Sequence, residues 1–296
     1  TWPEDVLHGK AAFMEKDEGS AEDPLAFRVL LIFAQLYCRW ASLRLSHMKS
    51  WMEKWRLPEI LAGFEGVGAE DGWYASALEN EYWWATDSQY TGGAADVFKC
   101  FDQMRRPLLY KLLEDAGMPP RILQPYISFM ENVKVANSIN GGLGKERTKP
   151  CSIPQGCPWS MMIISLALRA WVLLVKSYGA IPRALADDIL VKAHGPQHLQ
   201  TFVGAYTATH EYVRDMGGKL APKKSYVYST SQSAKEWLNK YTWPTDKQGI
   251  KAINHGRDMG AHFNLSKRAH GGTLTKRLAE ATNVVRRVAR LPCCYR

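Results

Sequence analysis

Arg183-Ala184-Leu185-Ala186-Asp187-Asp188-Ile189-Leu190-Val191-Lys192-Ala193 is the stretch that decides how this 296-residue chain is read. Two short apolar segments, Arg183–Ala186 and Ile189–Ala193, are separated only by Asp187-Asp188. Apolar runs of that length around a turn predict a β-hairpin with two carboxylates at its tip. An Asp pair in a turn is by itself ordinary, because Asp bonds its own backbone and accepts turn geometry. The rest of the chain gives it more weight. A third acid, Asp96, stands inside a short apolar strand, Ala94-Ala95-Asp96-Val97-Phe98, opened by Thr91-Gly92-Gly93.

Carboxylates in apolar surroundings are costly unless positive charge pairs with them. No Lys or Arg lies within two residues of any of the three on the same strand face. Divalent cations resolve this. Two adjacent Asp at a turn and one from a neighbouring strand can hold two Mg²⁺ about 4 Å apart. One ion then activates an attacking 3′-hydroxyl and the other steadies a leaving pyrophosphate, which is nucleotidyl transfer.

Outward from these acids the chain reads as interleaved helices and strands, an α+β arrangement. The first twenty-odd residues read as irregular and Phe27–Met48 as a helix. Leu57–Trp73 reads as a Gly-rich loop region, followed by a helix over Ala75–Thr86. Helices are predicted over Pro107–Ala116 and Arg121–Asn132. A hairpin joins Val133–Ser138 to Glu146–Ser152 through Asn140-Gly141-Gly142, and a long buried helix spans Met161–Ser177. Gln197–Met216 reads as a helix and Lys219–Ser229 as a strand. Arg257–Leu265 is strand-like. Thr275–Leu291 is a basic amphipathic helix with Leu278, Ala281, Val285, Val288 and Ala289 as its inner face.

Composition narrows the partners. Hydrophobic residues make up 46% and charged residues 23%, enough for a sizeable core. The net charge is +9, and ten Lys/Arg against two acids from Gly249 to Arg296 place +8 of it in the last 48 residues. Such a tail points to a polyanion, nucleic acid before membrane. Arg169 interrupts the longest apolar run, Met161–Val175, so no transmembrane helix and no membrane partner are expected. The six cysteines show no paired CxxC spacing, which argues against a zinc site and for reduced thiols in an intracellular protein. Both ends read as cut, so further domains of a larger polyprotein are expected.

At this point the chain resembles a known family. Leu185-Ala186-Asp187-Asp188 is similar to the aromatic-x-Asp-Asp box of reverse transcriptases. Asp96-Val-Phe-Lys-Cys-Phe101-Asp102 resembles their first catalytic box, Ser152-Ile-Pro-Gln155-Gly156-Cys-Pro-Trp-Ser160 their Pro-Gln-Gly box, and Gly218-Lys-Leu-Ala-Pro-Lys-Lys224-Ser225 the Lys-Ser/Thr box that follows. Asp258-Met259-Gly260 resembles the primer-grip turn. Lys16, Arg28 and Gly63–Asp71 fall where the family has its upstream elements. The boxes occur in family order, and five in order are specific where one alone is weak. The first box, and the insert after it, look most like non-LTR retrotransposon enzymes, with group II intron enzymes as the nearest competitor.

The resemblance implies a right-hand polymerase: fingers over 1–90, palm over 91–106, a fingers/palm insert over 107–155, palm over 156–248, and a primer-grip strand with the start of the thumb over 249–296. It implies an RNA-directed DNA polymerase that takes an RNA template, a DNA primer and dNTPs, with two Mg²⁺ or, in their place, Mn²⁺. Asp96, Asp187 and Asp188 would be the metal carboxylates, joined by the carbonyl of Val97. Phe101 would be a steric gate, its ring leaving no room for a 2′-hydroxyl; locally it also reads as a core aromatic. Gln155 and Gly156 would lie by the nascent base pair, and equally read as a helix-entry turn. Lys224 would neutralise phosphate or protonate pyrophosphate, or be a solvated lysine. Arg28 would grip the triphosphate, or snorkel from a surface. Met259 and Gly260 would hold the primer. Arg277, Arg286 and Arg287 would meet the phosphates of the hybrid, or form a solvated face.

The chain departs from the family pattern at Leu185, where an aromatic is usual, and at Arg28, which is followed by Val-Leu. It departs again at Glu65, an acid in a loop expected to face template. A remnant that binds RNA without polymerising is the alternative reading. An RNA-directed RNA polymerase conflicts with Phe101. Nuclear localisation follows only from the retroelement analogy.

Overall fold

Strand pairing sets the frame of this computed structural model, which describes residues 1–15, 27–139, 141–149, 151–245, 247–258, 261–265 and 272–289. In chain order the elements begin with β1 (His8–Glu15), β2 (Phe27–Ile32), α1 (Gln35–His47), α2 (Lys49–Trp55) and α3 (Ala69–Ala85). β3 (Tyr90–Asp96), α4 (Cys100–Gln103), α5 (Arg106–Asp115) and α6 (Pro120–Asn132) follow, then β4 (Lys134–Ile139), β5 (Gly142–Leu143), β6 (Arg147–Thr148) and α7 (Ser160–Ser177). Next come β7 (Ile181–Leu185), β8 (Asp188–His194), α8 (His198–Asp215), β9 (Tyr226–Ser229) and α9 (Gln232–Lys240). The last are β10 (Thr242–Trp243), β11 (Gln248–Gly249), β12 (His255–Asp258), β13 (Ala261–Asn264) and α10 (Gly272–Val288).

The central sheet has the order β7-β8-β3-β9, every neighbour antiparallel. Side chains alternate across a strand, and β8 shows it plainly. Ile189, Val191 and Ala193 enter the main core, which α7 and α8 cover. Trp171 of α7 is fully buried and donates its indole N–H to Thr209 Oγ1 of α8 at 3.0 Å. Tyr206 of α8 donates to the Ala94 carbonyl at 3.0 Å.

The other face of β8 carries Asp188, Leu190, Lys192 and His194, and α3 lies against its far end. Trp83 stacks on His194 with ring centroids 4.8 Å apart. Glu79 takes two bonds from Arg183, at 2.8 and 2.5 Å. Lys192, 1% exposed, reaches Glu79 at 3.5 Å, the Ser76 carbonyl at 3.2 Å and Asn80 Oδ1 at 3.3 Å. A buried ammonium is tolerated because these oxygens replace its water. Partial burial pushes the Glu79 carboxyl up, but bonds and charge from Arg183 and Lys192 outweigh that and hold it below the usual range. On the same face Tyr228 lies across β3, so a Cβ on Gly92 would collide with its hydroxyl; this is why a strand interior carries glycine.

A second sheet joins β2-β1-β4-β5, with β6 also on β4; β1 and β4 run parallel. This corrects two sequence expectations. The first residues are not irregular: His8–Glu15 is a strand. Phe27–Ile32 is a strand too, and the helix begins only at Gln35. A six-residue apolar run does not distinguish strand from helix by periodicity; the register Lys10↔Ile32 to Glu15↔Phe27 decides it.

Other expectations shift. Helix α3 begins at Ala69, and the hairpin turn is Ala186-Asp187, with Asp188 already in strand. Only Tyr226–Ser229 of the Lys219–Ser229 segment is a strand, and α9 was not foreseen. Helix α7 is long and apolar enough to cross a membrane, with mean hydropathy 1.6, which corrects the reading that Arg169 breaks the run. It is 61% buried inside the protein, and Arg169 turns its Nε to the Trp55 carbonyl at 2.9 Å. Helix α10 forms, but its expected inner face is open: Leu278 is 60% and Val285 66% exposed.

Candidate active site

Strand β3 ends at Asp96, and the register sets Asp96 directly opposite Asp188, the first residue of β8. Acids about ninety residues apart in sequence thus become cross-strand neighbours, and like charges so placed repel. Leu185 pairs with Asp188 to close a two-residue turn in which Ala186 has φ +55°. That left-handed conformation is unfavourable for a residue with a Cβ, by about 1–2 kcal/mol. The hairpin holds it and so projects Asp187 from the tip.

The segment after α8 fastens the end of β3. Val97 bridges Leu220, and Phe98 N–H donates to the Lys219 carbonyl at 2.9 Å. Ala221 N–H donates to the Asp96 carbonyl at 2.8 Å. The Ser225 hydroxyl accepts from Asp96 N–H at 3.1 Å and donates to the Ala221 carbonyl at 3.0 Å. Ser225 therefore ties its loop to the strand that carries the acid and sets Lys224 beside it.

A cleft of about 410 Å³ opens here. It gathers Asp96, Val97, Phe101, Asp187, Gln155, Arg28 and Lys224, drawn from five separate stretches of chain. It also holds Lys99, Asp102 and Met161, which sequence reasoning did not assign. Lys99 was legible only as part of the first box; its φ of +45° and its place just before α4 turn it toward the cleft.

Several expectations are corrected. Asp187 and Asp188 are exposed and Asp96 half-buried, so the acids are not enclosed in apolar surroundings as their sequence context suggested. Asp188 is not in the cleft lining, because adjacent residues leave a turn in different directions. Among the described residues no three His, Cys, Asp or Glu side chains gather as a ligand set for a metal ion. What the structure shows instead is a group of acids whose charges act on their neighbours. The Asp188 carboxyl is pushed above its ordinary value by crowding from surrounding protein, then by Asp187 and Asp96. Burial, then Asp187, Asp96 and Asp102, pushes up the Cys100 thiol. Among the described residues no lysine or arginine forms an ion pair with Asp187 or Asp188.

Gly156 is not among the residues that line the cleft. It has φ +112°, and a Cβ there would collide with the Leu31 carbonyl of β2. Its glycine is required by that strand. Phe101 lines the cleft and also packs on the core. Glu65 pairs with Lys49, which accounts for an acid in that loop. Arg277, Arg286 and Arg287 lie on α10, away from the cleft lining. Met259, Gly260 and Lys16 lie outside the described residues.

No curated protein matches the chain in sequence. Among solved structures, apo telomerase from Candida tropicalis, truncated from its C-terminal domain, superposes with TM-score 0.61 at 12% identity, over 88% of this chain and 54% of that one. Telomerase from Candida tropicalis in complex with a TWJ fragment of telomeric RNA gives 0.59 at 11% identity, over 90% and 46%. The Candida albicans complex gives 0.53 at 13%, over 89% and 46%. This chain spans about half the length of those structures, and likenesses at such identity establish the palm-and-fingers fold. The family model for reverse transcriptase (RNA-dependent DNA polymerase) matches residues 41–248, a span that contains the first catalytic box, the Pro-Gln-Gly box, the Asp-Asp hairpin and Ser225. On that match, over more than half of its length, the chain belongs to the reverse transcriptase (RNA-dependent DNA polymerase) family.

Proposed function

We propose that this chain is the polymerase domain of a retroelement reverse transcriptase of the non-LTR kind, extending a primer 3′-hydroxyl with deoxynucleotides on an RNA template. The observation that carries the chemistry is the cross-strand pair Asp96↔Asp188, of which Asp96 lines a cleft that also holds Asp187, Phe101, Arg28 and Lys224. The retroelement assignment is supported by the style of the first box and by the α5–α6 insert after it.

In this reading Asp96, Asp187 and Asp188, with the Val97 carbonyl, hold divalent cations. Bound there, such ions lower the pKa of the attacking hydroxyl and neutralise the triphosphate. The chain supplies the rest. Arg28 reaches into the cleft from β2, and a guanidinium there grips phosphate oxygens bidentately. Lys224, held by the Ser225 clamp, offers charge or a proton to departing pyrophosphate. Phe101 occupies the wall where a 2′-hydroxyl would project, which favours deoxyribose.

Primer extension on poly(rA)/oligo(dT) with the purified chain tests this. Asp187→Asn should abolish extension under both Mg²⁺ and Mn²⁺, and full activity in that variant would remove the acid assignment. Phe101→Ala should raise ribonucleotide use. Salt-sensitive RNA binding without extension by the unaltered chain would favour the non-polymerising remnant.

A second reading, a telomerase-like polymerase, is favoured by the Candida superpositions. Repeated copying of a short internal segment of a bound RNA would distinguish it from single-pass copying of a long template.

A further inference from the structure

We infer that Ser152–Gln155 is a strap that sets the separation between Phe101 and the strand bearing Arg28, and that Arg106 is the positioning residue that anchors it. The inference rests on the reading of Phe101 as the sugar gate.

The strap is built from main-chain bonds at both ends. Ile153 N–H donates to the Phe101 carbonyl at 2.7 Å and Ser152 N–H to the Met104 carbonyl at 3.0 Å. The Cys151 thiol adds a contact to the Asp102 carbonyl at 3.4 Å. At the other end Leu31 N–H of β2 donates to the Gln155 carbonyl at 2.7 Å. Leu31 lies three residues from Arg28 on the same strand, about 10 Å along it. Phe101 and Arg28 are thus opposite ends of one hydrogen-bonded path, and neither wall can withdraw without breaking it.

Arg106 locks the middle. It is 3% exposed, and its guanidinium donates to the Ser152 carbonyl at 3.3 Å and to the Met130 carbonyl of α6 at 2.6 Å. Glu131 stands 3.8 Å away. A planar guanidinium serves two carbonyls in fixed directions, which a lysine ammonium cannot reproduce. Ser152 itself is held at φ +108°, and among the described residues its buried hydroxyl has no hydrogen-bond partner. A non-glycine residue keeps such a conformation only where its surroundings over-determine it, here Arg106 on one side and Met104 on the other.

The test compares kcat/KM for a dNTP and the matching rNTP on one RNA template, in the unaltered chain, Arg106→Lys, Ser152→Gly and Phe101→Ala. Ser152→Gly frees the backbone at a φ that glycine accepts and removes a hydroxyl that makes no bond, so it keeps the chain folded should Arg106→Lys fail to fold. We expect the dNTP preference to fall about tenfold in Arg106→Lys and Ser152→Gly, less than the roughly 10²-fold that a 1 Å misplacement of a reacting group can cost. In the double variant with Phe101→Ala the effects should not add, because both act on one ring. A merely structural role would lower dNTP and rNTP use in parallel and leave their ratio fixed. An unchanged ratio in both strap variants, with a reduced ratio in Phe101→Ala, overturns the strap and leaves the gate standing. An unchanged ratio in Phe101→Ala removes the gate, and the strap's role in sugar choice with it.

Discussion

Asp188→Asn should abolish polymerisation while making the metal-free protein more stable. Asp188 faces Asp96 across the β3–β8 ladder, with Asp187 next to it, and its carboxyl is pushed up by crowding and by both neighbours. Like charges directly opposite in a sheet are destabilising by roughly 0.2–1 kcal/mol. Asp188 is exposed, so solvent screening places the effect in the lower half of that range, about 0.5 kcal/mol. For a chain of this size that corresponds to a rise in Tm of about 1–2 °C. The sign follows from linkage. An acid whose folded pKa is raised adds stability below its ordinary pKa, and that stability is lost as pH rises through the folded value. The gain from Asn should therefore appear above the ordinary carboxylate range and vanish in acid. Thermal melts in EDTA at neutral pH and near pH 3 measure it. Millimolar Mg²⁺ or Mn²⁺ should raise the Tm of the unaltered chain more than that of the variant, because the lost carboxylate weakens binding to the folded state. A lower Tm for Asp188→Asn in EDTA at neutral pH would refute the cross-strand repulsion.

Three further perturbations follow from the packing. Glu79→Ala should destabilise by about 3–5 kcal/mol in urea unfolding, because Arg183 and the buried Lys192 lose their shared acid. Since the Glu79 pKa is lowered in the fold, its contribution should be present above the ordinary Glu value and disappear as pH falls through the folded value. Gly156→Ala should cost at least about 1–3 kcal/mol by the same assay, from backbone strain plus the collision with Leu31, and a neutral change would show that β2 does not need the glycine. Ala186→Gly should stabilise by up to about 1 kcal/mol by relieving φ +55°, unless the greater freedom of glycine in the unfolded chain offsets it; a clear loss of Tm would show the turn is unstrained.

The motif order was legible without coordinates because each box is a local pattern. The apolar pair around Asp187-Asp188 reads as a hairpin, and the helical periodicity of α5 to α8 gives those helices within a few residues. The identity of the acids, Phe101, Gln155 and Lys224 followed from the boxes, and the cleft gathers Asp96, Asp187 and those three residues. Helix α10 was legible as a helix from its pattern, but the burial of its apolar stripe was not: amphipathicity shows that a face seeks a partner, and Leu278 and Val285 are exposed.

What needed the tertiary structure was whatever depends on residues distant in sequence. Strands β1 and β2 were invisible because a short apolar run is neither strand nor helix until a neighbour bonds it, and the parallel partner of β1 lies more than a hundred residues downstream. Lys99 enters the site through a left-handed backbone that no side-chain pattern announces. The burial of Lys192 is set by Glu79 on another element, and Gly156 answers to the carbonyl of Leu31. Side-chain chemistry and short-range periodicity are properties of the chain read alone. Register, burial and the charge around each acid are properties of pairs, and a pair exists only once the chain has folded.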